Sequence, residues 1–196
     1  MIEGIRVPPL DRRLQKRYIY LVKSHLHHAP STAAGPTAAL KSCSAFACTQ
    51  AAWRFLNNDR VSLQTLQQPL IEHAAQRLTQ CQEPYGLLVH DWCKLDYKRH
   101  TAKKDTATLT HAQDVGYELA CALLLEAEHG QPVAPMQMHL RTAEGFLSTC
   151  PTLPPPPEKS LSHVNQVLPT MQASAGWGLD RPLVHVIDRE GDSVGH

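Results

Sequence analysis

The sequence has no long hydrophobic run. Its longest unbroken apolar stretch, Leu119 to Leu125, falls far short of the roughly 20 residues that a bilayer-spanning helix needs. Met1 to Leu10 contains Glu3 and two prolines and no apolar segment followed by a small-residue cleavage site, so no secretory leader is expected. No two cysteines form a CxxC pair, no histidine follows one at zinc-finger spacing, and there is no internal repeat. Cys43, Cys48, Cys81, Cys93, Cys121 and Cys150 are therefore expected as reduced thiols of a cytoplasmic chain, with Cys93 and Cys121 as small hydrophobes in strand-like runs. A membrane protein, a collagen-like rod and a disulfide-knotted secreted domain are excluded. What is present is a 196-residue chain, 42% hydrophobic and 19% charged, the make-up of a folded chain of one domain or two small ones.

Acids are scarce in the first 80 residues. That stretch carries ten Lys or Arg against Glu3, Asp11, Asp59 and Glu72, a balance of +6, while the remaining residues balance to −5. A basic front on an acidic back suits a polyanion-binding surface followed by a site that gathers carboxylates; chance clustering of solvated charge is the plainer alternative. Asp11 to His28 reads as a helix capped by Asp11, with Arg12, Arg13, Lys16 and Arg17 crowding its first turns. Cations there oppose the helix dipole, a cost that a bound phosphate backbone offsets. His25, His27 and His28 near the helix end are expected as dipole partners rather than metal ligands. A loop over 29–42, a helix from about Thr49 to Leu56, a short turn capped by Ser62 and a further helix opening at Pro69 complete an all-helical module over 1–80.

From Tyr85 the pattern changes. Leu87 to Asp91 is a short buried-strand run ending in a carboxylate, and Lys98 to Thr110 is an exposed loop. Val115 to Glu128 and Val133 to Arg141 read as a long antiparallel hairpin, although Ala120 to Glu128 alone also suits a buried helix. Residues 150–157, rich in proline, form a stiff connector, Ser160 caps an amphipathic helix, and Leu183 to Ile187 is a last strand ending at Asp188. Trp53 and Trp92 are expected as core anchors, and Trp177, between two glycines, as packing for a turn.

Asp91 and Asp188 lie nearly a hundred positions apart. Either alone is an ordinary polar strand end. If their strands are neighbours, both carboxylates come within reach of shared divalent cations, the hard-oxygen arrangement used for phosphodiester cleavage. Two segments here resemble the catalytic region of the IS4-type DDE transposases, a likeness that spans most of the chain from about residue 10. They are Val89-His90-Asp91-Trp92-Cys93-Lys94-Leu95-Asp96-Tyr97 and Val186-Ile187-Asp188-Arg189-Glu190-Gly191-Asp192, the second similar to that family's D-R-E-x-D signature. Ala51-Ala52-Trp53-Arg54-Phe55-Leu56-Asn57-Asn58, followed by Val61-Ser62, is similar to its N-terminal DNA-binding segment.

The resemblance implies an α+β or α/β fold: a helical DNA-binding domain over 1–80, then an incomplete ribonuclease H-like mixed sheet over 81–196. It implies that Asp91 and Asp188 are the first two acids of a metal-binding triad and that Arg54 contacts the transposon end. Its chemistry is attack of water or a 3′-hydroxyl on a phosphodiester with Mg²⁺ or Mn²⁺ as cofactor. Its partner is double-stranded DNA with terminal repeats, its setting the nucleoid of a prokaryotic cytoplasm, and its full-length members are expected to dimerise. The family's third acid, a Glu in a Y-x-x-x-R-x-x-x-x-x-x-E pattern, has no counterpart, so a C-terminally truncated, catalytically impaired chain is expected. The alternative is a non-catalytic remnant that grips transposon ends through Arg12, Arg13, Lys16, Arg17 and Arg54 and competes with active enzyme. Lys98, Arg99, Lys103 and Lys104 form a second basic run, either a solvated loop or a guide for DNA toward Asp91. An interaction protein using Pro154 to Pro157 as a polyproline ligand is a third reading, against which a plain linker stands.

Overall fold

The computed structural model describes residues 6–28, 45–109, 111–150 and 163–188. They build a mixed α+β protein: four helices and a six-stranded mixed sheet. No helix among them is long and apolar enough to cross a membrane. The chain divides into two compact units, residues 1–69 and 70–196.

In the first unit, α1 (Arg12–His28) starts where the sequence says it should. The Asp11 carboxylate accepts hydrogen bonds from the backbone N–H groups of Arg13 and Leu14, at 2.9 and 3.1 Å, satisfying two donors that the first helical turn leaves open. α2 (Ala45–Leu56) stops at Asn57, whose side-chain amide donates to the Trp53 carbonyl at 2.9 Å. Trp53 is 64% exposed rather than a core anchor; Ala52 and Phe55 on the same helix are the buried positions. Asp11→Ala removes a cap and is expected to lower the stability of this unit by about 1 kcal/mol, read as a lower thermal midpoint and weaker helical dichroism.

α3 (Leu63–Gln80) begins earlier than Pro69. Ser62 caps the whole helix, its hydroxyl accepting from the Thr65 N–H at 3.0 Å, and Pro69 lies inside. Proline has no N–H and removes one rung of the helical ladder. The helix continues through it, with Pro69 and Gln67 both buried, and the unit division falls at this point.

The second unit is organised by β1 (Gly86–Asp96), β2 (Ala107–Thr108), β3 (Val115–Glu126), β4 (Pro132–Thr142), β5 (Gly145–Ser148) and β6 (Leu183–Ile187), with α4 (His163–Ser174) between the last two. The order is β5-β4-β3-β1-β6, with β2 pairing β3. The expected hairpin is β3 and β4; their turn includes Gly130, whose φ of 66° suits a residue without Cβ. β2 and β5 are too short to carry a sequence pattern of their own, and Ser160 and the proline-rich connector past Cys150 lie outside the described residues.

β1 does not end at Asp91. It pairs with β3 along its whole length, from Gly86 opposite Glu126 to Asp96 opposite Gly116, because the ladder is made by backbone groups and does not need apolar side chains. The approach is closest at Gly116, where a Cβ would lie 1.9 Å from the Leu95 carbonyl oxygen.

Alternation along these strands separates two faces. Leu88, Leu124, Ala122, Ala134 and Met136 form one buried cluster with Ala74 and Leu78 of α3, and Trp177 and Leu183 pack at its margin. On the opposite face Leu87, Val89, Cys121 and Leu123 are half-buried, and Val184 and Val186 on β6 are 46% and 41% exposed.

Candidate functional site

β6 runs parallel to β1, and their register pairs Leu87 with Val184, Val89 with Val186 and His90 with Ile187. The next residue in each strand direction is Asp91 and Asp188. They are the residues that follow the last β1–β6 pair, where paired strands lie about 4.8 Å apart, and strand alternation puts both on the face of Leu87 and Val184. Both are exposed. Asp91 sits within its strand rather than at the end, and its carboxylate accepts from the Trp92 N–H at 2.9 Å. Asp188 follows the last residue of β6. Glu190 and Asp192 lie outside the described residues.

The row continues across the sheet. Cys121 on β3 stands opposite Asp91, and Met138 on β4 stands opposite Cys121. Burial, then the negative charge of Asp91, then Cys93, push the Cys121 thiol above its ordinary pKa, so it remains a neutral S–H. Cys93 is exposed, not buried as a small hydrophobe. Cys81, Cys93, Cys121 and Cys150 are in no disulfide, and Cys43 and the Cys48 side chain lie outside the described residues.

On the other side of the same two strands, His90 Nε2 and His185 Nδ1 are 2.9 Å apart, with the rings stacked at 5.2 Å. One ring donates and the other accepts, which ties β1 to β6 directly behind the aspartate pair. Burial and the neighbouring His185 and His139 lower His90 to about 4. His139 is also buried, between Gln137 Nε2 at 3.0 Å and Ser148 Oγ at 2.5 Å, and burial lowers it to about 4. The strand-by-strand alternation of these histidines with apolar residues is visible in the sequence; that they meet is not.

Five basic residues of the first unit gather in a groove of about 590 Å³ between α1 and α2. Arg13, Lys16, Arg17 and Arg54 line it, joined by Arg60, Asn58 and Tyr20, and no acidic side chain is among its lining residues. Arg17 lies over the Tyr20 ring at 5.6 Å. Arg60 pairs with Asp11 at 2.9 Å, an exposed contact worth little on its own. Arg12 is exposed on α1 but is not part of the groove wall. Sequence reasoning missed Arg60, which falls in the turn between α2 and α3 and carries no periodic signal. His25 bonds the Leu21 carbonyl through Nδ1 at 2.8 Å, a local helix contact consistent with its expected role.

Among the described residues, no group of three or more His, Cys, Asp or Glu side chains is arranged to hold a metal ion. Two carboxylates on a rigid sheet nevertheless suit Mg²⁺, which commonly uses one or two carboxylates and completes its shell with water and substrate phosphate. The chain matches no protein-family model and no curated protein.

Proposed function

We propose that this chain is a DNA-binding protein of transposase type, acting on double-stranded DNA at transposon ends. The first unit grips phosphates through the α1–α2 groove, and the second holds Mg²⁺ or Mn²⁺ at Asp91 and Asp188 for strand cleavage and transfer. The observation that carries this reading is the parallel β1–β6 pairing, whose last pair is followed on each strand by an aspartate on the same face. The same pairing supports a ribonuclease H-like reading of the sheet: an antiparallel meander of β1, β3 and β4, then a return through α4 to a strand parallel to β1. We place the protein at the nucleoid of a prokaryotic cytoplasm.

A bound divalent cation would polarise a phosphoryl oxygen and stabilise the charge that builds during attack. The chain's own contribution is positional. Asp91 is braced by the Trp92 N–H, and the strand beneath it is tied to β6 by the His90–His185 bond. In the groove, Arg13, Lys16, Arg17, Arg54 and Arg60 offer several cations to one stretch of DNA backbone.

A second reading, a non-catalytic binder that occupies transposon ends, rests on the basic groove alone, which needs no metal site. One experiment separates the two. Supercoiled DNA carrying candidate terminal repeats is incubated with the full chain and Mg²⁺ or Mn²⁺, and binding to the same repeats is followed across a salt series. The cleavage reading expects nicking that drops about tenfold or more in Asp91→Asn and in Asp188→Asn while DNA binding persists. Binding without nicking selects the second reading. Both readings expect binding to weaken steeply with salt. In Arg13→Ala, Arg17→Ala or Arg54→Ala the slope of log affinity against log salt is expected to become shallower by roughly 0.9 for each phosphate the variant no longer neutralises. No DNA complex at low salt overturns both.

A further inference from the structure

Residues 94–104 contain Lys94, Lys98, Arg99, Lys103 and Lys104 against a single acid, Asp96. A run of this kind is ordinarily a loose solvated loop. Here it is built. Tyr97 packs edge-on against both His100 and Tyr117, each at 5.1 Å between ring centroids. The Lys103 ammonium lies over the Tyr97 ring at 4.9 Å and the Tyr117 ring at 5.3 Å. The Tyr117 hydroxyl donates to Asp105 at 2.6 Å, and two backbone bonds, His100 N–H to the Tyr97 carbonyl and Lys103 N–H to the His100 carbonyl, wind the loop. Cation–aromatic contacts of this sort fix a loop at small entropic cost.

The cations are thereby divided into two groups. Lys103, exposed like the others, is the cation whose ammonium lies over the two rings. Lys98, Arg99 and Lys104 stand exposed on the loop, and Lys98, Arg99, His100 and Asp96 surround a shallow pocket of about 250 Å³. Asp96 is paired with Lys98 at 3.0 Å, and with Asp105 counted as well residues 94–105 carry five Lys or Arg against two acids, so the surface is net positive.

Its position follows from the register. Leu95 pairs with Tyr117, and residues 91, 93 and 95 alternate onto one face, so Tyr117 and the lysine above it share the face of Asp91. Six residues of strand separate Asp91 from Tyr97, about 20 Å at ~3.4 Å each. One strand of a DNA duplex advances ~3.4 Å per nucleotide, so the same span covers about six nucleotides.

We infer that the 98–104 loop is a second phosphate-binding surface for duplex DNA, separate from the α1–α2 groove, which grips the backbone about six nucleotides from the phosphate at Asp91. This rests on the DNA reading proposed above and extends it. Arg99 and Lys104 make the phosphate contacts beside the Lys98–Asp96 pair, and Lys103 is a positioning residue.

The test uses the full chain and a fluorescent duplex, with anisotropy titrations over a range of salt. Arg99→Ala/Lys104→Ala is compared with Arg13→Ala/Arg17→Ala, each checked for an unchanged thermal melt. The loop double variant is expected to bind several-fold more weakly, with a log–log salt slope shallower by roughly 1.8, two phosphates at ~0.9 each. Lys103→Met is expected to weaken binding as well, and Lys103→Arg, which keeps a cation over the two rings, to restore it. In the wild-type chain, DNA is expected to shield Lys104 from acetylation. A loop variant that binds like wild type while the groove variant fails, or Lys104 acetylated equally with and without DNA, overturns the loop surface and leaves the groove intact. A wild-type chain that does not bind the duplex at all overturns the whole DNA reading together with this inference.

Discussion

Acidification from pH 7 to pH 4 is expected to destabilise the second unit by roughly 3 kcal/mol through His139 alone. The ring is 3% exposed and is lowered from 6.5 to about 4 by burial. Its hydrogen bonds agree with a neutral ring: the Gln137 amide donates to Nε2, so Nε2 carries no proton, and Nδ1 meets the Ser148 hydroxyl. The folded-state pKa is the lower of the two. Above pH 6.5 both states are neutral and the group contributes nothing to pH dependence. Between 6.5 and 4 the unfolded chain takes up a proton that the folded chain refuses, so stability falls as pH falls across that window. His90 and His185 are lowered in the same direction and share a bond, so their effects reinforce the trend without adding in full. Asp96 and Asp105, lowered by their partners, act chiefly below this range. Urea unfolding of a Trp53→Phe chain, whose remaining tryptophans Trp92 and Trp177 both belong to the second unit, measures the effect. His139→Gln is expected to be less stable at pH 7 and to show a flatter profile. A wild-type stability that is level from pH 7 to 4.5 would refute the assignment.

Leu124→Ala is expected to cost about 2–5 kcal/mol, enough to unfold a marginal unit. Leu124 is fully buried, opposite Leu88 on β1 and Ala134 on β4, and is grouped with Leu78 of α3. Truncation removes its transfer free energy and leaves a cavity that two strands and a helix cannot close by shifting. Val184→Ala, on the exposed face of β6, provides the contrast and is expected to change stability by no more than ~0.5 kcal/mol. The same urea experiment reads both. Equal costs at the two positions would mean that the buried cluster is not where the unit's stability resides.

The features legible in the sequence are those decided within a few residues. Asp11 caps α1 through N–H groups two and three positions on, and its side chain is chemically suited to that wherever it occurs. Likewise β3, β4 and β6 are readable because a hydrophobic strand must carry its apolar residues in its own sequence. The departures come from backbone or tertiary contacts. Asp91 reads as the end of a strand, yet β1 continues to Asp96 because β3 is there to accept its ladder. Pro69 looks like a helix start, but lies within α3. Trp53 has the residue type of an anchor, but the buried stripe of α2 runs through Ala52 and Phe55.

The candidate sites divide in the same way. The basic crowding on α1 is a property of composition, and four of the five expected DNA contacts, three on α1 and Arg54 on α2, line one groove; Arg60, in the turn after α2, joins them. Asp91 and Asp188 can be chosen from the sequence as carboxylates on two apolar strands. That those strands are parallel neighbours in matching register is settled by pairing across nearly a hundred residues. So, too, is the meeting of His90 with His185 behind them. From its residues alone the chain is committed to three helices before its first strand and to a basic front, since these follow from local propensity and charge count. Which acids, histidines and cations become neighbours was left to the tertiary structure, because a side chain's partners across a sheet depend on strand order and register, and neither is encoded within any one strand.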